Sequence, residues 1–300
     1  DVGIVTMTSS PQAASKSVFR AALVQMCAGR DVARNVSDAV ALIGEAAAQQ
    51  AAYVQTPECT TLMEVDTERL MAETKPEAGN ASLAAFSQAA ADKKIWLHIG
   101  SMAVKIGERR LANRSYLFAP NGDVSARYDK IHMFDVDLGK GEVYSESVNY
   151  QAGSNAVISE LPWGRLGLTI CYDLRFPALH RALAKAGASF IAGPAAFTRI
   201  TGEAHWHTLL RARAIETETF ILAAAQGGRH ENGRETFGHS LIISPWGEIL
   251  GEGGTEPGVV IGDIDTQRID EVRRKIPSLT HDRVFSVVEE RASRLETIRK

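Results

Sequence analysis

The chain has 300 residues, 45% hydrophobic and 23% charged, a composition that supports a large globular core. A net charge of -3 with 7% aromatic residues gives no electrostatic case for nucleic acid or an anionic membrane surface as partner. Cys27, Cys59 and Cys171 are too few and too scattered for a disulfide framework, none has the CxxC spacing of a zinc site, and no stretch approaches the roughly 20 apolar residues of a membrane span, so reduced thiols in a cytoplasmic setting are expected.

Residues Asp1 to Ser17 read as a flexible polar tail without the apolar core of a signal peptide. From there apolar runs alternate with helical patterns: strand over Phe19 to Met26, helix over Val32 to Gln50, a short strand over Ala52 to Thr56 ending at Pro57-Glu58, helix over Ala81 to Lys93, and strand over Ile95 to Val104. Tyr116 to Ala119, Pro120-Asn121-Gly122 and Asp123 to Tyr128 form a hairpin signal. The turn type recurs at Pro162-Trp163-Gly164, feeding the strand that runs to Cys171, and at Pro245-Trp246-Gly247, between Leu241 to Ser244 and Glu248 to Leu250. Helix is expected over Phe176 to Lys185 and His205 to Thr219, with strands over Ser189 to Ala192 and Phe220 to Ala225. Two helix-strand halves carrying antiparallel hairpins predict an α/β fold of two stacked mixed sheets with helices outside, a four-layer α-β-β-α sandwich. The hairpins argue against the competing reading, a doubly wound open sheet.

Three positions at strand ends carry side chains suited to chemistry. Cys171 lies in Gly-Leu-Thr-Ile-Cys-Tyr-Asp-Leu-Arg-Phe-Pro, 167 to 177, where an apolar strand meets a helix. At such a corner the first N–H groups of the next turn lack partners and the helix dipole favours a thiolate, whereas most buried cysteines are only small hydrophobes. Glu58 follows a buried strand in Thr-Pro-Glu-Cys-Thr, and Lys130 stands among Ile131, Met133 and Phe134, where a low dielectric demands a carboxylate partner; Glu146 is a candidate for it.

The order Glu58, Lys130, Cys171 in these contexts resembles the nitrilase superfamily of carbon-nitrogen hydrolases over essentially Val18 to Val287. The motifs Cys-Tyr-Asp-Leu-Arg-Phe-Pro at 171 to 177, Thr-Gly-Glu-Ala-His-Trp at 201 to 206, Leu-Arg-Ala-Arg-Ala-Ile-Glu at 210 to 216, and Gly-His-Ser with Pro-Trp-Gly at 238 to 247 are similar to its Nit branch of deaminated glutathione amidases and omega-amidases. The resemblance implies one catalytic domain, 18–287, followed by a C-terminal helical extension, 288–300. It further implies that Cys171 attacks an amide carbonyl as thiolate, that Glu58 takes its proton and returns one to the departing ammonia, and that Lys130 and the Tyr172 backbone N–H hold the oxyanion. Glu146 matches the second glutamate of the family, and Arg175, Phe197 and Thr201 match positions that contact the substrate's carboxylate. Neither metal nor organic cofactor is called for, and a homodimer or higher homo-oligomer is expected.

Two departures stand out: Cys59 follows Glu58 where Asn is common, and His207 follows Ala-His-Trp where Glu is common. His205 and His207 lie two apart on a helix, so they cannot share one face as zinc ligands. Ala223-Ala-Ala-Gln226 followed by Gly-Gly-Arg-His230 favours the deaminated glutathione side over the omega-amidase side. Nitrile or N-carbamoyl amide hydrolysis by the same triad is the alternative within enzymes, and an inactive scaffold or binding protein is the alternative outside them.

Overall fold

A computed structural model of the chain describes residues 17–139 and 141–289. The expected tail, but for Ser17, and the expected terminal extension, but for residues 288 and 289, lie outside the described residues. Those two residues are not helical.

In chain order the first half runs β1 (Val18–Gln25), α1 (Val32–Ala48), β2 (Tyr53–Gln55), α2 (Thr67–Glu73), α3 (Ala81–Lys93), β3 (Trp96–Gly107), β4 (Arg110–Phe118) and β5 (Val124–Asp129). A small hairpin, β6 (Asp135–Asp137) and β7 (Val143–Ser145), leads to β8 (Val157–Leu161), β9 (Gly164–Leu168), α4 (Pro177–Lys185), β10 (Ala188–Ala192), α5 (Arg199–Thr217) and β11 (Phe220–Ala223). The chain closes with β12 (Gly227–Arg229), β13 (Glu235–Phe237), β14 (Leu241–Ile243), β15 (Ile249–Glu252), β16 (Gly258–Asp265) and α6 (Gln267–Lys275). Among the described residues no helix is long and apolar enough to cross a membrane.

Two six-stranded sheets result, ordered β16-β1-β2-β3-β4-β5 and β15-β14-β11-β10-β9-β8. Each has three parallel central strands, β1-β2-β3 and β9-β10-β11, flanked by antiparallel neighbours. The central strands are apolar on both faces, as parallel strands covered by helices on one side and a second sheet on the other must be. Leu23, Tyr53, Leu117 and Tyr128 meet Leu166, Leu168, Phe190 and Leu222 between the sheets. Ala39, Ile43 and Phe86 of α1 and α3 cover the far face of the first sheet, and Leu183 and Leu210 of α4 and α5 cover that of the second. The architecture is the four-layer α-β-β-α sandwich.

Two expected boundaries move. Helix α5 begins at Arg199 rather than His205, because the Thr198 hydroxyl accepts the Thr201 N–H and starts the helix a turn and a half earlier. The strand before Cys171 ends at Leu168, and Cys171 opens a separate 3-10 turn, Cys171–Arg175, ahead of α4. The long helix therefore does not begin at the cysteine, and Pro177 supplies its fixed φ at the first helical position.

Polar links cross the sandwich. Gln55 on β2 accepts the Ala224 N–H of the other sheet at 2.9 Å and bonds His98 Nδ1 at 2.9 Å, and His98 Nε2 meets Ser115 Oγ at 2.5 Å. Burial holds His98 down to about 3, so it stays neutral in the native state. The sign follows: the unfolded chain binds a proton below the ordinary histidine value of about 6.5 while the native chain does not, so stability is lost as pH falls from there toward 3. We expect this one residue to remove about 2 kcal/mol between pH 7 and about pH 5, and His98→Gln to flatten the fall in denaturant titrations at the two pH values.

Gly100 on β3 lies behind the loop carrying Glu58. A Cβ there would stand 2.1 Å from the Thr56 carbonyl oxygen, 2.5 Å from Pro194 Cβ and 2.6 Å from the Pro57 carbonyl oxygen. Gly100→Ala is expected to cost about 3 kcal/mol by forcing backbone apart, with activity falling alongside because the displaced segment holds Glu58; a melting temperature within a degree or so of the parent would contradict it.

Candidate active site

The segments that leave central strands β2 and β9, edge strand β5 and the small hairpin strand β7 carry the polar side chains. Glu58 sits in the turn after β2, Lys130 directly after β5, Glu146 directly after β7, and Cys171 three residues beyond the end of β9. A cavity of ≈ 220 Å³ brings all four together with Cys59, Met63, Asn113, Phe134, Tyr144 and Arg234 in its wall.

Lys130 is 2% exposed and Glu58 4% exposed, so their charges must be met inside the protein. The Lys130 ammonium donates to Glu58 Oε1 at 2.9 Å and to Glu146 Oε2 at 2.8 Å. Asn113 on β4 bridges the same carboxylates, donating to Glu58 Oε1 and Glu146 Oε1 at 3.0 Å each. Glu58 Oε2 accepts the Ala196 N–H at 2.9 Å, and Glu146 Oε2 accepts the Phe134 N–H at 2.7 Å. Burial by itself would raise Glu58, but the Lys130 ammonium, hydrogen bonding from Cys171 and Lys130 and the Arg234 charge outweigh it and hold the carboxyl below its ordinary range. Burial likewise opposes the Lys130 charge, yet Glu146 and Glu58 more than compensate, and the ammonium is held well above the usual lysine value.

The cysteine corner is fixed by Asp173, a residue whose role was not legible in the sequence. Its fully buried carboxylate accepts the Ile170 N–H at 2.9 Å and the Tyr128 hydroxyl at 2.6 Å, then the His132 N–H at 3.1 Å and His132 Nδ1 at 2.7 Å. The turn of Cys171 is thereby tied to both sides of Lys130. Cys171 itself has φ +48°, a left-handed conformation that an L residue adopts only when its surroundings enforce it, and its N–H donates to the Pro194 carbonyl at 2.8 Å. The Tyr172 N–H finds no acceptor among the described residues. Burial and then the Glu58 charge push the Cys171 thiol well above its ordinary value, so the resting group is a thiol. Cys171 starts a single short turn rather than the helix expected there, and burial opposes the thiolate that a helix dipole would favour.

Cys59 also has a left-handed backbone, φ +58°, which explains why Asn suits the position: Asn enters this region more readily than other non-glycine residues. Burial and the adjacent Glu58 push its thiol up to about 12, which makes it a poor nucleophile.

Arg175, Phe197 and Thr201 do not line the cavity. The Arg175 guanidinium lies over the Phe197 ring at 5.3 Å with Nη1 3.3 Å from His205 Nδ1, and the Thr201 hydroxyl is taken up by Thr198 at 2.8 Å in the helix cap. The cavity's wall contains Arg234 instead, in the turn between β12 and β13. Asn232-Gly233 between two short extended segments is the available sequence signal for that hairpin. Asn113 leaves no such signal, since an alternating strand gives no sign of which polar residue faces the site. His207 pairs with Glu252 at 2.9 Å, and the same oxygen meets His239 Nδ1 at 3.1 Å, away from this cavity.

Since both Cys171 and Cys59 rest protonated, ultraviolet titration of the native protein should show no thiolate from either up to about pH 9, beyond the value near 8.5 at which a free thiol is half ionised. Thiolate absorbance appearing near neutrality and lost in Cys171→Ala would contradict the assigned resting state.

Comparison with known proteins agrees with the geometry. The family model described as "Carbon-nitrogen hydrolase" matches residues 20–274. The chain is 40% identical over 272 residues to a deaminated glutathione amidase of Synechocystis, covering 89% of this chain and 98% of that one, and 34% identical over 259 residues to human omega-amidase NIT2, covering 86% and 93%. Among solved structures, the C. elegans NitFhit protein superposes with a TM-score of 0.83 at 32% identity, over 89% of this chain and 65% of that one, and yeast Nit3 with 0.79 at 26% identity, over 88% and 97%. With a family match over most of its length and a Cys/Glu/Lys-type arrangement in its cavity, the chain belongs to the carbon-nitrogen hydrolase family, in its Nit-type branch, and is an amidase.

Proposed function

We propose that the protein hydrolyses a small carboxylate-bearing amide through a thioester on Cys171, with deaminated glutathione preferred over an omega-amide of a dicarboxylic acid. The observation that carries the reading is the convergence of Glu58, Lys130 and Cys171 on one small cavity.

The chemistry follows from the resting protonation states. Because Cys171 is a thiol and Glu58 a carboxylate, sulfur attacks the amide carbon as Glu58 accepts the thiol proton, so charge appears only as the new C–S bond forms. An ammonium has three donors, and Lys130 uses two of them on Glu58 and Glu146. The third, with the unpartnered Tyr172 N–H, is available to the developing oxyanion. Glu58 then delivers its proton to the leaving nitrogen, the C–N bond breaks, and ammonia or the free amine departs. Water attacks the thioester with Glu58 again as base, releasing the acid and restoring the thiol. Glu146 and Asn113 touch Lys130 and Glu58 and keep them in register throughout.

The substrate preference is supported by the run Ala223-Ala-Ala-Gln226 followed by Gly-Gly-Arg-His230 and by the bacterial relatives, deaminated glutathione amidases of Yersinia enterocolitica and Synechocystis at 45% and 40% identity, while the human deaminated glutathione amidase and human omega-amidase stand level at 34%. The retained Cys, Glu and Lys speak against an inactive scaffold.

A panel of 2-oxoglutaramate, deaminated glutathione, N-carbamoyl amino acids and nitriles, followed by release of ammonia or primary amine, tests the reading. Deaminated glutathione is expected to give the highest kcat/KM. Cys171→Ala should abolish turnover with the fold intact, and Glu58→Gln should lower kcat by roughly 100-fold to 10,000-fold, the range for loss of a general base. Full activity in Cys171→Ala, or turnover of nitriles alone, would overturn the proposal.

A further inference from the structure

The departure at position 207 has a structural counterpart. His207 on α5, His239 in the connection between β13 and β14, and Glu252 at the end of β15 each bring one ligand atom to within 4.8 Å of the others. His205 cannot serve His207 as a second imidazole on the same helix face, but folding supplies one from a different element.

Both rings converge on a single oxygen. His207 Nε2 lies 2.9 Å from Glu252 Oε1, and His239 Nδ1 lies 3.1 Å from the same atom. Among the described residues no Lys or Arg pairs with Glu252, and the outer ring nitrogens, His207 Nδ1 and His239 Nε2, make no hydrogen bond to protein. Each proton that a neutral ring shares with Glu252 can therefore move to the outer nitrogen without breaking another bond, leaving two nitrogen lone pairs and a carboxylate oxygen facing one point.

The frame around them is fixed in advance. The Trp206 indole N–H donates to the His239 carbonyl at 2.7 Å, the His239 N–H to the Gly254 carbonyl at 2.7 Å, and the Gly253 N–H to the Ser240 carbonyl at 2.9 Å. The Phe237 ring stacks on His239 with centres 4.4 Å apart and stands edge-on to His207 at 5.9 Å. The three side chains are 28–38% exposed, so an ion can enter from solvent.

Two imidazole nitrogens and one carboxylate oxygen suit zinc or a neighbouring first-row divalent ion, whereas calcium and magnesium favour oxygen donors throughout. A tetrahedral ion with bonds of about 2.0–2.1 Å sets its ligands about 3.3 Å apart, within a few tenths of an ångström of the two nitrogen-to-oxygen separations here. We propose that His207, His239 and Glu252 form a binding site for a zinc-class divalent cation that fastens α5 to the β14–β15 hairpin, with water completing the coordination. The site is separate from the cavity of Cys171 and stands or falls apart from the reaction assigned there. With His207 where Glu is common, it is a feature of this chain's own surface.

The bland role is a pair of hydrogen bonds that hold the same elements together with no ion. Calorimetric titration of EDTA-stripped protein with Zn²⁺ near neutral pH separates the two. The parent is expected to bind one equivalent and to melt several degrees higher when it is bound. His207→Gln and Glu252→Gln should each weaken binding by roughly 100-fold or more, beyond the 10–100-fold cost of losing an outer hydrogen-bond partner of a ligand, and His205→Gln should leave it unchanged. A cooperative melt of each stripped variant shows that its fold is kept, and if one fails that check the other decides. Co²⁺ in place of Zn²⁺ should give visible absorption without the near-ultraviolet sulfur-to-metal band of a cysteine site. No stoichiometric binding, equal affinity in the parent and the folded variants, or a sulfur-to-cobalt band would overturn the proposal.

Discussion

A single buried ammonium organises this protein's site. Lys130 has lost its water and survives as a cation only because Glu58 and Glu146 reach it from two other loops, with Asn113 donating to both. Removing one partner from such a buried cluster leaves an uncompensated charge, typically a penalty of about 3–5 kcal/mol, so the loops after β2, β5 and β7 are held in one arrangement. The same constraint produces the chemistry. The Lys130 ammonium keeps Glu58 ionised, and one of its hydrogens is directed at neither carboxylate.

The sandwich exists to bring those loops together. Parallel central strands deliver their C-terminal ends from both sheets to one rim, and cross-sheet bonds such as Gln55 to Ala224 and Gln25 to Ser240 fix how the sheets face each other. Gly100 lets the Glu58 loop lie against β3 at a distance no side chain permits. Asp173 performs the corresponding task for Cys171, binding its turn to Tyr128 and His132 on either side of Lys130. Strain at Cys171 and Cys59, both left-handed, is tolerated because these bonds over-determine the backbone.

Electrostatics then divides the cavity. Near Cys171, burial and the Glu58 charge disfavour a thiolate. Farther out, the Arg234 guanidinium brings a positive charge to the cavity wall, with Nη2 on the Ala196 carbonyl.

Much of this was legible in the chain order of residues. Helix α3 and the apolar strands follow from periodicity, the Pro-Asn-Gly turn from its chemistry, and Glu58, Lys130, Glu146 and Cys171 from charged or nucleophilic side chains set against apolar runs. Local sequence determines such features because they depend on neighbours within a turn or a strand. Asn113, Asp173 and Arg234 gain their roles from partners far away in the chain, 55 residues between Asn113 and Glu58 and 45 between Tyr128 and Asp173, and no local pattern encodes such a meeting. The same distance dependence decided the state of Cys171: a strand-to-helix corner suggests a thiolate, but only the packed structure shows how completely water is excluded and how near Glu58 stands. Sequence thus determined which residues are reactive in kind, and tertiary structure decided which charges surround them and which way their protonation shifts, because both depend on burial and on groups brought close only by folding.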